Sequence, residues 1–157
     1  ALNAVFQRDP EAVRAVQTRA AELSGVSKSN AESTLERWFG HSDIPERAAC
    51  RAWLQSVDPQ GYQAAYRVFA AEPGLRHERL KQLSCHALFM TGDLEPNATA
   101  EMSRKMAGRA PLGQCRIVSG AAHMMPMTHP QTVASALRSL HSTAKVPRVS
   151  ETLSNRG

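Results

Sequence analysis

A chain of 157 residues with 42% hydrophobic content is long enough to bury the core of one ordinary domain. No segment approaches the roughly 18 consecutive apolar residues that span a bilayer, so we expect no membrane partner. The net charge of +5 comes from scattered Lys and Arg residues that often adjoin acids, and since nucleic acids need a basic patch, we expect no nucleic-acid partner.

The start of the chain predicts two short amphipathic helices. Asp9 followed by Pro10 is a helix start, because Asp is a favoured N-cap and Pro fits the first helical position. The spacing from Ser29 to Glu32 is that of a capping box, and Gly40 fits the end of the helix that follows. Both segments carry apolar residues at helical spacing on a single face.

Two more helices are predicted next, one from Pro45 to about Val57 and one that begins at Asp58 and Pro59. Residues 9–72 therefore give four helices and no strand. Each helix has one apolar face, which must be buried against another helix or against a layer beneath it. This arrangement suits a lid over a core.

Most aromatic residues of the chain lie on the apolar faces of these helices. They are Trp38, Phe39, Trp53, Tyr62, Tyr66 and Phe69. Packing inside the lid is the expected role of such side chains. Trp38 is the candidate for a substrate contact, because a large rigid side chain at the end of a helix can overhang a cleft.

The second half of the chain alternates strands and helices. Residues 87–91 form a short apolar run, typical of a strand buried on both faces in a parallel sheet. Thr99 then caps a helix, residues 114–118 form a second strand, and a last helix opens at Pro130. The polar and basic residues 143–157 show no periodicity and predict a disordered tail.

The cysteines and histidines predict a reducing compartment and no bound metal or cofactor. Cys50, Cys85 and Cys115 are far apart and odd in number, which predicts buried thiols in a reducing cytoplasm. No two of the six histidines have the H-x-x-x-H spacing of a helical metal site, so we predict neither a metal nor a cofactor. The chain also opens with no recognisable signal peptide.

An acid and a histidine follow the two predicted strands. Glu95 lies in the turn after the first strand and His123 in the turn after the second. Reactive groups gather outside the carboxyl ends of strands in open α/β sheets. A hydroxyl nucleophile needs a base such as imidazole, and a carboxylate behind the imidazole fixes its tautomer. Glu95 and His123 suit these two roles.

Residues 83–96 read LSCHALFMTGDLEP, and residues 120–124 read GAAHM. Both segments resemble the C-terminal part of an α/β-hydrolase, and within that superfamily they are most similar to enol-lactonase-like and esterase-like members. The resemblance is strongest over residues 80–142. It implies an α/β class with a partial α/β-hydrolase fold: a helical cap over residues 1–82, then the last two parallel strands and helices of the core over residues 83–142.

The same resemblance implies roles for individual residues. The family's triad acid stands three residues after the Gly at the strand end, which is Glu95 after Gly92, and Asp93 remains an alternative acid. The family's catalytic histidine lies in a G-x-x-H turn, which is His123 here. Met124, directly after it, is a second candidate substrate contact. The implied reaction is hydrolysis of a small-molecule ester or lactone.

The nucleophile motif of the family is missing from the sequence. The nucleophile lies in a G-x-S-x-G elbow that precedes the acid and the histidine in the chain. These 157 residues contain no such motif, and the nearest segment, residues 40–44 (GHSDI), reads as a helix end that runs into a turn. We therefore expect the chain to begin after the nucleophile, to need the N-terminal part of the hydrolase core as its partner, and to be inactive alone.

A different class of function stays open at this point. The chain is also compatible with a non-enzymatic helical module that binds a partner through its helices or through the open edges of a two-stranded sheet. A cooperative thermal melt of the isolated monomer would favour the module, and aggregation would favour the hydrolase part.

Overall fold

The computed structural model describes residues 1–25, 31–72 and 77–145. The first four helices are together termed the helical layer: α1 (Pro10–Glu22), α2 (Ala31–Phe39), α3 (Pro45–Ser56) and α4 (Pro59–Ala71). The two predicted Asp-Pro helix starts are confirmed, since the Asp9 carboxylate accepts the amide of Ala12 and the Asp58 carboxylate accepts the amide of Gly61. The predicted capping Ser29 lies outside the described residues.

The remaining elements build the α/β part of the chain. They are α5 (His77–Lys81), β1 (Ala87–Gly92), α6 (Ala100–Arg109), β2 (Gly113–Val118), α7 (Met125–Thr128) and α8 (Pro130–Lys145). The single turn α7 has no counterpart in the sequence prediction, because four residues are too few to show a helical period. The helix α8 continues to Lys145, past the start of the predicted tail, and residues 146–157 lie outside the described residues.

The two strands pair in parallel, in a register that runs from Ala87 opposite Gly113 to Gly92 opposite Val118. The other side of β1 is also paired. The amide of Asn3 donates to the carbonyl of Met90, and the amide of Met90 donates to the carbonyl of Ala1, both at 2.9 Å. Residues 1–3 therefore extend the sheet beside β1.

Helices cover both faces of the sheet. Alternate side chains of β1 point to opposite faces, so Phe89 packs with Met106 of α6, whereas Leu88 and Met90 pack with Val133 of α8. Because both faces are covered, every residue of β1 except Ala87 is buried. This explains why the strand appears in the sequence as an unbroken apolar run.

The helical layer rests on the segment that follows β2. Leu35 and Phe39 of α2 and Cys50 of α3 form an apolar cluster, against which Met124 and Met127 pack. Burial of thiols is right for Cys50 and wrong for Cys85 and Cys115, which are exposed. These contacts fix the position of α2 over the carboxyl ends of the strands. None of the helices within the described ranges is long and apolar enough to cross a membrane.

Candidate active site

The turns that follow β1 and β2 are held together by backbone hydrogen bonds. The amide of Asp93 donates to the carbonyl of Val118 (3.1 Å), and the amide of Leu94 donates to the carbonyl of Ala121 (3.0 Å). Gly92 permits this approach, because a Cβ atom there would lie 1.9 Å from the carbonyl oxygen of Ala121. A residue with a side chain would separate the two turns.

Glu95 and His123 meet where these turns converge. Oε2 of Glu95 lies 2.6 Å from Nδ1 of His123. The other oxygen, Oε1, accepts the amides of Asn97 (2.8 Å) and Ala98 (3.2 Å). Glu95 is only 4% exposed, so the carboxylate is held in one orientation by three hydrogen-bond donors.

The charge of Glu95 follows from these contacts. Burial alone would raise the pKa of this carboxyl, but the hydrogen bonds from His123, Asn97 and Ala98 outweigh burial and lower the pKa below its ordinary value. Glu95 is therefore ionised at neutral pH. A carboxylate only accepts hydrogen bonds, so Nδ1 of a neutral His123 must carry the proton and Nε2 must be the basic nitrogen.

Asp93, the alternative acid, has a different contact. Its Oδ1 accepts the amide of Gly120 at 2.8 Å, and the residue is exposed. Asp93 thus fastens the turn that carries His123 without being the carboxylate bonded to the ring. Of the two acids that the sequence leaves open, Glu95 is the one that contacts the imidazole.

The two candidate substrate contacts are placed differently. The Trp38 indole stacks on the His123 imidazole, with ring centroids 5.9 Å apart and planes inclined by 21°. The Trp38 carbonyl also accepts the amide of Met124 at 3.2 Å. The Met124 side chain packs against the apolar cluster between α2 and α3, and lines neither of the two cavities described next.

A cavity of about 310 Å³ lies between the helical layer and this end of the sheet, and Glu95 and His123 line it. The helical layer contributes four aromatic side chains to the lining, those of Trp38, Tyr62, Tyr66 and Phe69, although all but Trp38 were predicted to pack within the lid. A second cavity of about 440 Å³ contains neither Glu95 nor His123.

Sequence reasoning missed Asn3 and Arg37, which also line the smaller cavity. Nδ2 of Asn3 donates to the carbonyl of His123 at 2.6 Å, and Oδ1 of Asn3 accepts the Thr91 hydroxyl at 2.9 Å. Asn3 has a φ of 46°, a left-handed conformation that Asn tolerates better than most residues. No local pattern in the sequence marks Asn3 as part of this site.

The described residues hold no group of three or more His, Cys, Asp or Glu side chains arranged to bind a metal ion. The segment around Ser42 is the turn between α2 and α3. Gly40 ends α2 with a φ of 64°, and Ser42 itself is exposed. The interpretation of this segment as a helix end is thus confirmed.

Comparisons with known proteins place these features in context. No family model matches the chain. The chain is 37% identical over 139 residues to the (E)-2-((N-methylformamido)methylene)succinate hydrolase of Acinetobacter baylyi, and the match covers 87% of this chain and 52% of that protein.

Two solved structures have a similar fold. A thermophilic esterase from Thermogutta terrifontis, solved with malate bound, matches with a TM-score of 0.76 and 26% identity over 92% of this chain and 55% of its own. The enol-lactonase of Burkholderia xenovorans matches with a TM-score of 0.67 and 19% identity over 90% of this chain and 54% of its own. The chain therefore spans about half the length of each of these proteins.

Proposed function

Because the chain belongs to the α/β-hydrolase superfamily, we propose that it supplies the acid and the base of a hydrolase that cleaves small-molecule esters or lactones. The predicted class, a partial α/β-hydrolase fold, is confirmed by the same similarities. The activity of the whole protein is our proposal, since the chain spans about half of its relatives.

The contact between Glu95 and His123 is the observation that carries the proposal. Nε2 of His123 takes the proton of a hydroxyl nucleophile as its oxygen attacks the substrate carbonyl, and then gives that proton to the leaving oxygen. A water molecule then attacks the acyl group on the nucleophile, with Nε2 of His123 again taking and returning the proton, and the carboxylic acid product is released. Glu95 stabilises the imidazolium that forms in each step, and its buried, fully hydrogen-bonded position means that it needs no rearrangement to do so.

The nucleophile is proposed to come from polypeptide outside these 157 residues. The sequence contains no G-x-S-x-G elbow. The sheet also continues beyond β1 through residues 1–3, and the cavity beside His123 is lined on that side by Asn3 and Val5. We propose that a strand on this side of the sheet presents the nucleophile to Nε2 of His123.

The relatives support a small-molecule substrate. The Acinetobacter baylyi protein is named for the hydrolysis of a low-molecular-weight organic compound. The cavity of about 310 Å³ is at the lower end of the size range of small-molecule sites. A polymeric substrate would need a longer groove than this cleft offers.

The test compares hydrolysis of p-nitrophenyl acetate by this chain alone and by the complete protein, meaning a polypeptide that joins these residues to the nucleophile segment. We expect turnover only by the complete protein. There, His123→Ala should lower kcat by at least about 10³-fold and Glu95→Gln by about 10²- to 10⁴-fold.

His41→Ala is the matched control, because His41 is an exposed histidine outside the pair. Turnover by the isolated chain that His123→Ala abolishes would show that the nucleophile lies within these residues. Turnover by the complete protein that survives His123→Ala would refute the proposed function.

A further inference from the structure

Two arginines from different helices converge on one threonine beside the candidate active site. Arg37 on α2 donates to the Thr34 hydroxyl oxygen at 3.1 Å, and Arg19 on α1 donates to the same oxygen at 3.4 Å. Thr34 is only 2% exposed. Two positive charges are therefore held close together at a buried neutral group.

Neither guanidinium forms an ion pair with an acid of the described ranges. In addition, Nε of Arg19 is buried and has no hydrogen-bond partner among those residues. A guanidinium carries five N–H donors, so one shared hydroxyl satisfies only a small part of the two groups. Like charges this close repel, and a buried unpaired donor costs free energy. An anion bound beside Arg37 would offset the repulsion between the two guanidiniums.

The cavity-facing donors suit an anion with two oxygens. Arg37 and Thr34 both line the cavity that contains His123. The Thr34 oxygen accepts from two guanidiniums and its O–H donates to no acceptor within residues 1–25, 31–72 and 77–145, so this O–H can donate to a ligand. The planar fork of Arg37 matches a carboxylate, whereas a phosphate would bring a third oxygen and a second charge. Arg19 lies behind Thr34 and adds positive charge without lining the cavity.

The rest of the cavity indicates how such a ligand would lie. The aromatic side chains of Trp38, Tyr62 and Tyr66 also line the cavity, and the Trp38 ring stacks on the ring of His123. A carbon chain fits against these rings. A ligand with its carboxylate at Arg37 would then extend toward His123 with its other end.

We propose that Arg37 and Thr34, supported by Arg19, bind a free carboxylate of the substrate, so that the enzyme prefers esters or lactones that carry one. This inference rests on the proposed function, because it assigns the substrate class of the same site. It assigns Arg37 to substrate binding and not to the chemistry. Its loss should therefore change the preference between anionic and neutral substrates and leave the reaction itself in place.

The test uses two esters of equal chain length in the complete protein: mono-p-nitrophenyl adipate, which ends in a carboxylate, and p-nitrophenyl hexanoate, which ends in a methyl group. We expect Arg37→Met to lower kcat/KM for the adipate ester by roughly 10- to 100-fold, the value of a charge-assisted hydrogen bond. The hexanoate ester should change by less than about 3-fold. Arg51→Met is the matched control, because Arg51 pairs with Glu32 on the outer surface and should alter neither ester.

Arg37→Lys provides the second variant, since it keeps the charge and loses only the fork. It should lower kcat/KM for the adipate ester by an intermediate factor and spare the hexanoate ester. Equal losses on both esters in either variant, with an unchanged thermal melt, would overturn the carboxylate site and leave the proposed function intact.

Direct binding separates the two proposals. The inactive His123→Ala protein should bind adipate in a calorimetric titration, and the His123→Ala/Arg37→Met protein should bind it at least about 10-fold more weakly. Equal adipate binding by both proteins would refute the anion site. Failure of the proposed function alone would show as hydrolysis that survives His123→Ala, with adipate binding still dependent on Arg37.

Discussion

The indole of Trp38, on a helix of the helical layer, lies nearly parallel to the imidazole of His123, which follows the second strand. The stack is reinforced by the hydrogen bond from the Met124 amide to the Trp38 carbonyl. The ring of His123 is therefore held from two directions, by Glu95 at Nδ1 and by Trp38 on one face. The helical layer thus contributes to the position of His123 as well as to the lining of the cavity.

Trp38→Leu should lower kcat of the complete protein by about 10-fold, because an aliphatic side chain does not stack on the imidazole and leaves its orientation less fixed. Trp38→Phe should retain most of the activity, since it keeps an aromatic face. The measurement is the steady-state hydrolysis of p-nitrophenyl acetate. Trp53→Leu is the control, because Trp53 is 60% exposed on α3, and an equal loss in that variant would show that the effect is not local.

The identity of the acid is tested by a pair of variants. Asp93→Ala should lower kcat by less than about 5-fold, because it removes only an exposed bond to the Gly120 amide. Glu95→Gln should lower kcat by at least about 10²-fold, since the neutral amide no longer stabilises the imidazolium. The reverse order of the two losses would make Asp93 the functional acid.

Glu95 should also make stability depend on pH. Its pKa in the folded protein is lowered, so the unfolded chain binds this proton more tightly and the carboxylate stabilises the fold above the unfolded pKa of about 4.3. This contribution is lost as the pH falls through the lower, folded-state pKa. The melting temperatures of the wild-type and Glu95→Gln proteins should differ at pH 7, and this difference should shrink as the pH falls below about 4. A constant difference from pH 7 to pH 3 would contradict this linkage.

The close approach of the two active-site turns depends on Gly92. Gly92→Ala should reduce the free energy of unfolding by more than about 2 kcal/mol, since the added methyl meets the Ala121 backbone and the two turns must separate. The control is Gly108→Ala on α6, where no atom lies within 4 Å of the added Cβ. That change should stabilise the protein by about 0.5–1 kcal/mol, as Ala does in a helix. Urea denaturation measures the free energy of unfolding of both variants. A similar change in the two variants would show that the approach of the turns does not depend on Gly92.

The sequence predicted the Glu95–His123 contact because its determinants are local. A buried strand, the Gly at its end and the short turn that follows can each be recognised in a few residues, and parallel strands bring their carboxyl ends to the same edge. The paired Asp-Pro helix starts were recognisable for the same reason. These features depend little on how distant segments pack.

The arginine pair could not be predicted in this way. Arg19 and Arg37 lie on helices whose relative rotation is set by tertiary packing, and in the sequence both resemble ordinary surface charges. The same holds for Asn3, whose amide reaches His123 only because residues 1–3 pair with β1. A contact that links distant parts of the chain leaves no local pattern.

The polypeptide leaves the sheet after Asn3 and returns to it with β1, where the amide of Asn3 donates to the carbonyl of Met90. The helices between them thus form an excursion whose two ends meet at one place. Such an excursion can be lengthened, shortened or exchanged with little strain on the strands, because loop-closure entropy changes only slowly with length. Changes in this segment can therefore reshape the cavity that Glu95 and His123 line without altering the hydrogen bond between those two residues.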